Sequence, residues 1–146
     1  VKTATRHPFG FDDGQLERYA RHLILPEVGG RGQRALLDAE VRLDGDGLAL
    51  IEALAFLAAA GVGRIALAGP VDAASLAHVA ALNPDVALLP ADASGPGAYP
   101  VSAVGTHADG ALAALKAVLA LVGRPETAWR IDPDIPGLSN PSEASP

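Results

Sequence analysis

The stretch from Val41 to Ala68 constrains the fold more than any other part of the chain. Val41 to Asp44 reads as a strand and Gly45-Asp46-Gly47 as a turn. Leu48 to Ala60 reads as a strongly apolar helix stopped by Gly61, and Arg64 to Ala68 as a second strand. Two strands joined through an apolar helix lie parallel in one sheet, with the helix packed on a face.

The remaining sequence extends the alternation. Ala73 to Leu82 reads as a helix ended by Asn83-Pro84, Val86 to Leu89 as a third strand, and Ala91 to Ala98 as a loop rich in Gly, Pro and Ser. Tyr99 to Val104 reads as a fourth strand. Thr106 opens the last clear helix, with Asp109 completing a capping box and Gly123 at the C-terminal cap. Leu112, Leu115, Val118, Leu119 and Val122 form its apolar stripe. Thr127 to Ile131 reads as a closing strand, with Trp129 in packing.

Two helices precede the sheet. The first starts at Asp12, which forms a capping box with Gln15 while Phe11 and Leu16 staple the turn. It runs to about His22 or Ile24, ahead of Pro26. After a flexible bend at Gly29, Gly30 and Gly32, a short second helix covers Gln33 to Ala39. The expected organisation is a flexible leader over 1–10, one α/β domain over 11–132 and a mobile tail over 133–146.

Composition narrows the functional classes. The 146 residues suit one domain, and 49% of them are apolar, enough for one packed core. Only 4% are aromatic, so that core is built from Ala, Leu, Val and Ile, whose small side chains let helices approach closely. The net charge of −6 comes without a basic stripe or a basic amphipathic helix, which argues against nucleic acid and membrane surfaces as partners. The absence of cysteine excludes disulfides, thiolate metal sites and a cysteine nucleophile. Val1 to Gly10 holds no apolar run, so a cytoplasmic protein is expected.

The glycine turn has the layout of a dinucleotide-binding turn, in which glycines let the backbone approach a phosphate at a helix N-terminus. Leu50 stands where the third glycine of that pattern belongs, and Asp44 and Asp46 flank the turn. Two carboxylates there repel a triphosphate and suit stabilisation of the helix N-terminus instead. A calcium loop is rejected, because Leu48 and Ala49 occupy positions that need a ligand and a glycine. On the first strand Arg42 and Asp44 share one face and Val41 and Leu43 the other, so the polar face meets water or the pair bridges. His7, His22, His78 and His107 are scattered, and no serine has a nucleophile setting, so neither a metal site nor a catalytic residue is assigned.

Several ordered segments carry a family resemblance. Leu16-Glu17-Arg18-Tyr19-Ala20-Arg21-His22 resembles the R-Y-x-R-[QH] helix that opens the MoeB/ThiF/HesA adenylyltransferases. Ala58-Ala59-Ala60-Gly61-Val62-Gly63-Arg64-Ile65 resembles their A-x-A-G-V-G-x-[IL] segment, and Leu82-Asn83-Pro84-Asp85-Val86 their L-N-P-x-V. The likeness covers roughly residues 15–132, with gaps. It implies a Rossmann-like three-layer fold with a mostly parallel sheet, reduced relative to the family and preceded by two N-terminal helices. It also implies a homodimer and a small ubiquitin-like sulfur-carrier protein as partner. In the family the second arginine of the opening motif, matched by Arg21, reaches the nucleotide of the partner protomer.

The departures from the family pattern concern the nucleotide. Leu48 and Leu50 replace two glycines, Gly69 stands where the ribose-binding acid belongs, and Val71 to Leu82 is too short for the residues that hold ATP. No Arg or Lys lies between Arg64 and Lys116. The expected function is therefore a non-catalytic binding or dimerisation module, linked to sulfur-carrier or cofactor (molybdopterin or thiamine) biosynthesis. Gly45, Gly47 and Arg21 are the vestige of a nucleotide site, and no cofactor or metal is expected. The alternative is an adenylyltransferase that uses ATP and magnesium to activate the C-terminus of a carrier protein. Binding of NAD is disfavoured by the missing acid after the second strand.

Overall fold

The computed structural model describes residues 8–123. The leader residues 1–7, the closing strand Thr127 to Ile131 with Trp129, and the tail lie outside them.

Chain order is α1 (Asp13–Arg18), α2 (Ala20–Leu23), α3 (Gly29–Asp38), β1 (Glu40–Gly45), α4 (Gly47–Ala60), β2 (Arg64–Ala68), α5 (Ala73–Leu82), β3 (Ala87–Pro90), β4 (Tyr99–Ala103) and α6 (His107–Leu121). The four strands form one all-parallel sheet in the order β3-β2-β1-β4. This is a reduced Rossmann-like fold, in which the strand order reverses direction between β1 and β4.

The register explains the sidedness of the sheet. Leu43 pairs with Leu67 on one side and Val101 on the other, and Val41 pairs with Ile65. Val41, Leu43, Ile65 and Val101 are buried in one core with Leu50, Leu54 and Leu57 of α4 and with Ala114, Ala117 and Val118 of α6. Each fully buried Leu or Val contributes about 1.5–3 kcal/mol of transfer free energy. Small residues set how closely the two long helices cross. A Cβ on Gly110 of α6 would lie 2.8 Å from Ala49 Cα of α4, with the Ala49 carbonyl oxygen closer still.

The opposite face, with Glu40, Arg42 and Asp44, is crossed by the connection from β3 to β4, which holds one 3-10 turn (Ala91–Ala93), and not by an α-helix among the described residues. That connection is fixed from below. Glu40 accepts from the Gly95 amide at 2.7 Å, and Arg42 donates to the Ala91 carbonyl at 3.2 Å. Arg42 also bridges Asp44 at 3.4 Å while both side chains stay nearly half exposed. Both readings of this polar face therefore hold: it meets water and it pairs internally.

Several boundaries depart from the sequence reading, among them β1, which spans Glu40–Gly45, and β4, which ends at Ala103. The opening helix is interrupted at Tyr19, whose ψ of 12° lies outside the helical range. Burial explains the break, since Tyr19 is fully enclosed and wedges against Gly61. The bend expected at Gly29, Gly30 and Gly32 is instead the first turn of α3. There the lack of side chains serves packing, with the Phe9 ring against Gly30 and Val122 against Gly32. The third strand is displaced by one residue, to Ala87–Pro90. The caps at Asp12/Gln15 and Thr106/Asp109 are both complete, and Gly61 closes α4 in the left-handed region (φ +98°).

Candidate functional site at the carboxyl ends of the strands

Open parallel sheets bind ligands in the crevice beyond the carboxyl ends of their strands, where the strand order reverses. Here that crevice lies between the ends of β1 and β4, and the glycine turn sits in it. Gly45 pairs with Ala103, and the Asp46 amide donates to the Ala103 carbonyl at 3.3 Å. Gly45 (φ +153°) and Gly47 (φ +58°) adopt backbone conformations that L side chains rarely reach. A Cβ on Gly45 would strike the Ala103 carbonyl, so this glycine is required by strand contact alone.

The space in which a nucleotide would sit is altered in two ways. The first is steric. Leu50 is fully buried, and a Cβ on Gly69 would lie 2.8 Å from Leu50 Cδ2 and closer still to the Gly45 carbonyl oxygen. The end of β2 thus has no room for the acidic side chain that would hold a ribose. Leu48, in turn, is 54% exposed at the first turn of α4, facing solvent where a phosphate-binding turn presents bare backbone.

The second alteration is electrostatic. Asp46 occupies the N-cap position of α4 without a side-chain capping hydrogen bond. Asp44 pairs with Arg42. Asp72 caps α5 and Asp109 closes the capping box of α6. The amide of Ser75, then its hydroxyl, holds the Asp72 carboxyl below the usual carboxylate range, and the amide and hydroxyl of Thr106 do the same for Asp109. Both therefore stay ionised at neutral pH. Nearby, Arg42 is engaged by Asp44 and the His107 ring lies 3.5 Å from Glu52, whereas Arg64, paired with Glu40 at 3.4 Å, stands at the amino ends of the strands.

Arg21 is exposed on α2, with no ion pair among the described residues. Its neighbours Tyr19 and His22 belong to a cluster around Gly61, just ahead of the amino end of β2. His22 contacts Gln33 at 3.0 Å, and Gln33 donates to the Ala60 carbonyl at 3.0 Å. Within one chain Arg21 and the glycine turn therefore stand at opposite ends of the sheet, and only a second chain could bring them together. Arg18, its companion in the motif, pairs with Asp85 at 3.0 Å and lies over the Tyr19 ring. The R-Y, A-G-V-G and L-N-P segments thus meet in one structural knot, while the departures from the family pattern gather at the other end of the sheet. Sequence reasoning missed the coupling of Leu50 to Gly69, which are far apart in sequence and carry no shared motif.

Among the described residues no cluster of His, Asp and Glu is placed to hold a metal ion, and no helix is long and apolar enough to cross a membrane.

No family model matches the chain. Curated relatives do. The chain is 34% identical to the SAMP-activating enzyme E1 of Haloferax volcanii over 104 residues, an alignment taking in 56% of this chain and 38% of that protein. It is 45% identical over 53 residues to a protein of Mycobacterium tuberculosis named "Probable adenylyltransferase/sulfurtransferase MoeZ", covering 36% of this chain and 14% of that one. It is 47% identical over 51 residues to the sulfur carrier protein adenylyltransferase of Thermus thermophilus, covering 35% and 19%. The chain thus spans well under half the length of each. In the first alignment 104 residues exceed the 56% of this chain they take in, so that relative carries segments inside the shared stretch that this chain lacks. Partial homology and the reduced Rossmann-like fold together make the chain a relative of the MoeB/ThiF-like proteins, shortened within the stretch it shares with them.

Proposed function

We propose that this chain acts as a non-catalytic binding or dimerisation module in a sulfur-carrier or cofactor-biosynthesis setting. One observation carries the reading: Leu50 and the Gly45 carbonyl leave no space for a side chain at Gly69, at the point where the ribose would be held. The surrounding charge supports it, because Arg42, the arginine on β1 beside the glycine turn, is already paired with Asp44. A triphosphate brought there would meet the Asp46 side chain, with Arg42 already taken by Asp44. The partners we propose are a second copy of the chain and a ubiquitin-like sulfur-carrier protein, in keeping with the names of the relatives. The exposed Arg21 and the 80% exposed Ile24, three residues apart, supply a surface for the second copy. A cytoplasmic setting goes with this proposal.

One feature favours the other reading, an ATP-dependent adenylyltransferase. The glycine turn does sit at the point where the strand order reverses, ahead of a 14-residue helix. Titration with Mg-ATP, followed by calorimetry and by thermal denaturation, decides between them. The module reading expects no saturable heat and no rise in melting temperature at millimolar nucleotide. Saturable binding with a concentration-dependent rise overturns it, since a ligand bound to the folded state must stabilise that state. Light scattering of the same sample reads whether a second copy is present.

A further inference from the structure

A second concavity lies away from the glycine turn. A cleft of about 270 Å³ opens between the α2–α3 connection and the last turns of α4 and α6. Leu25, Phe56, Leu115 and Leu119 give it apolar walls, and Glu27 and His22 add its polar groups. We propose that this cleft binds a small organic ammonium compound, with the apolar body between the helices and the ammonium group at Glu27.

Charge complementarity selects this class of ligand. Glu27 is the one Asp, Glu, Lys or Arg among the described residues of the lining. Glu27 is exposed and has no ion pair among the described residues. The last turns of two helices contribute, Phe56 to Ala60 from α4 and Val118 with Val122 from α6, where the helix dipole is negative, although the Ala60 and Val118 carbonyls are taken by Gln33 and by the Val122 amide. No Lys or Arg lines the cleft.

His22 follows the same pattern by a chain of hydrogen bonds. The Gln33 amide nitrogen donates to the Ala60 carbonyl, which turns the Gln33 oxygen toward His22 Nδ1. In the neutral ring Nδ1 must then carry the proton, and Nε2 is left as an acceptor. With no Lys or Arg in the lining, an anionic ligand meets the Glu27 carboxylate uncompensated, whereas an ammonium group finds it as an acceptor. The volume suits a compound the size of phenethylamine. The inference is independent of the glycine turn.

The test uses the full chain and three probes of one shape: phenethylammonium, 2-phenylethanol and phenylacetate. Binding is read by calorimetry and by amide shifts in NMR spectra. The amine is expected to bind saturably, with shifts at Glu27, Phe56 and Leu119, the alcohol more weakly, and the acid not measurably. Glu27→Gln is expected to weaken the amine about two- to fivefold, as suits an exposed charge pair, and to leave the alcohol unchanged. Glu27 is exposed, so the variant keeps the fold. Equal binding of acid and amine, or no saturable binding of the amine, overturns the proposal. So does a dimer that Leu25→Glu dissociates and that excludes the amine, because the cleft is then an interface between copies.

Discussion

Leu50 and Gly69 illustrate how one residue decides the chemistry open to another. A leucine that fills the space between α4 and the end of β2 leaves glycine as the residue that fits beside it, and a glycine offers no carboxylate at that position. The same end of the sheet carries carboxylates whose protonation the fold controls. Asp72 and Asp109 are held below the usual range by amide and hydroxyl donors, as is Asp38, ahead of the amino end of β1, by its hydrogen bonds to Arg34. A carboxyl group with a depressed folded-state pKa stabilises the protein above its unfolded pKa, near 3.9, and loses that contribution as pH falls through the folded value. Stability is therefore expected to be flat from pH 7 to about 5 and to decline below pH 4. Asp109→Asn should make the acid limb shallower and lower the neutral plateau, as urea midpoints between pH 7 and pH 3 would record. An unchanged acid limb would remove the cap from this account.

Local signals and distant contacts divide the elements into those the sequence reveals and those it conceals. β1, α4, β2 and α5 are legible because their ends carry their own chemistry: Gly45 and Gly47, Gly61, Asp72, Asn83. The caps at Asp12 and Thr106 are legible for the same reason. The break at Tyr19 and the early start of α3 are not, since both depend on contacts with residues well beyond the local window, Gly61 and Phe9. At the candidate site the missing glycine and the missing acid are visible in sequence, but their steric linkage through Leu50 is not. The absence of a capping bond from Asp46 is equally invisible, because it depends on where the side chain turns. Helix crossing offers the sharpest test at this scale. Gly110→Ala gains up to about 1 kcal/mol of helix propensity. The added Cβ must push α6 away from the Ala49 carbonyl, which costs about 1–3 kcal/mol in a packed core. Overpacking should win, and the melting temperature should fall. A rise would show that the α4–α6 crossing is looser than its glycine suggests.

Across the whole molecule, the sheet is insulated by helices on one face and strapped by a loop on the other. The chain leaves β3 at one edge and must reach β4 at the far edge, passing β2 and β1 on the way. In larger α/β proteins a helix commonly makes this crossing and brings its own hydrogen bonds. Here residues 91–98 make it, and the strap borrows partners from β1. Glu40 is 17% exposed at its side chain, accepts from the Gly95 amide and pairs with Arg64, so one carboxylate links the strap to two strands. Glu40→Ala removes that link and leaves the Gly95 amide to find water, at a cost of about 0.5–1.5 kcal/mol. The ladder bonds of β1 with β2 and β4 do not involve the side chain. Hydrogen exchange should therefore quicken at Gly95 and its neighbours while the amides of Val41 and Leu43 keep their protection. Should protection fall across all four strands together, the strap and the sheet open as one unit, and the crossing is part of the core rather than a tether laid over it.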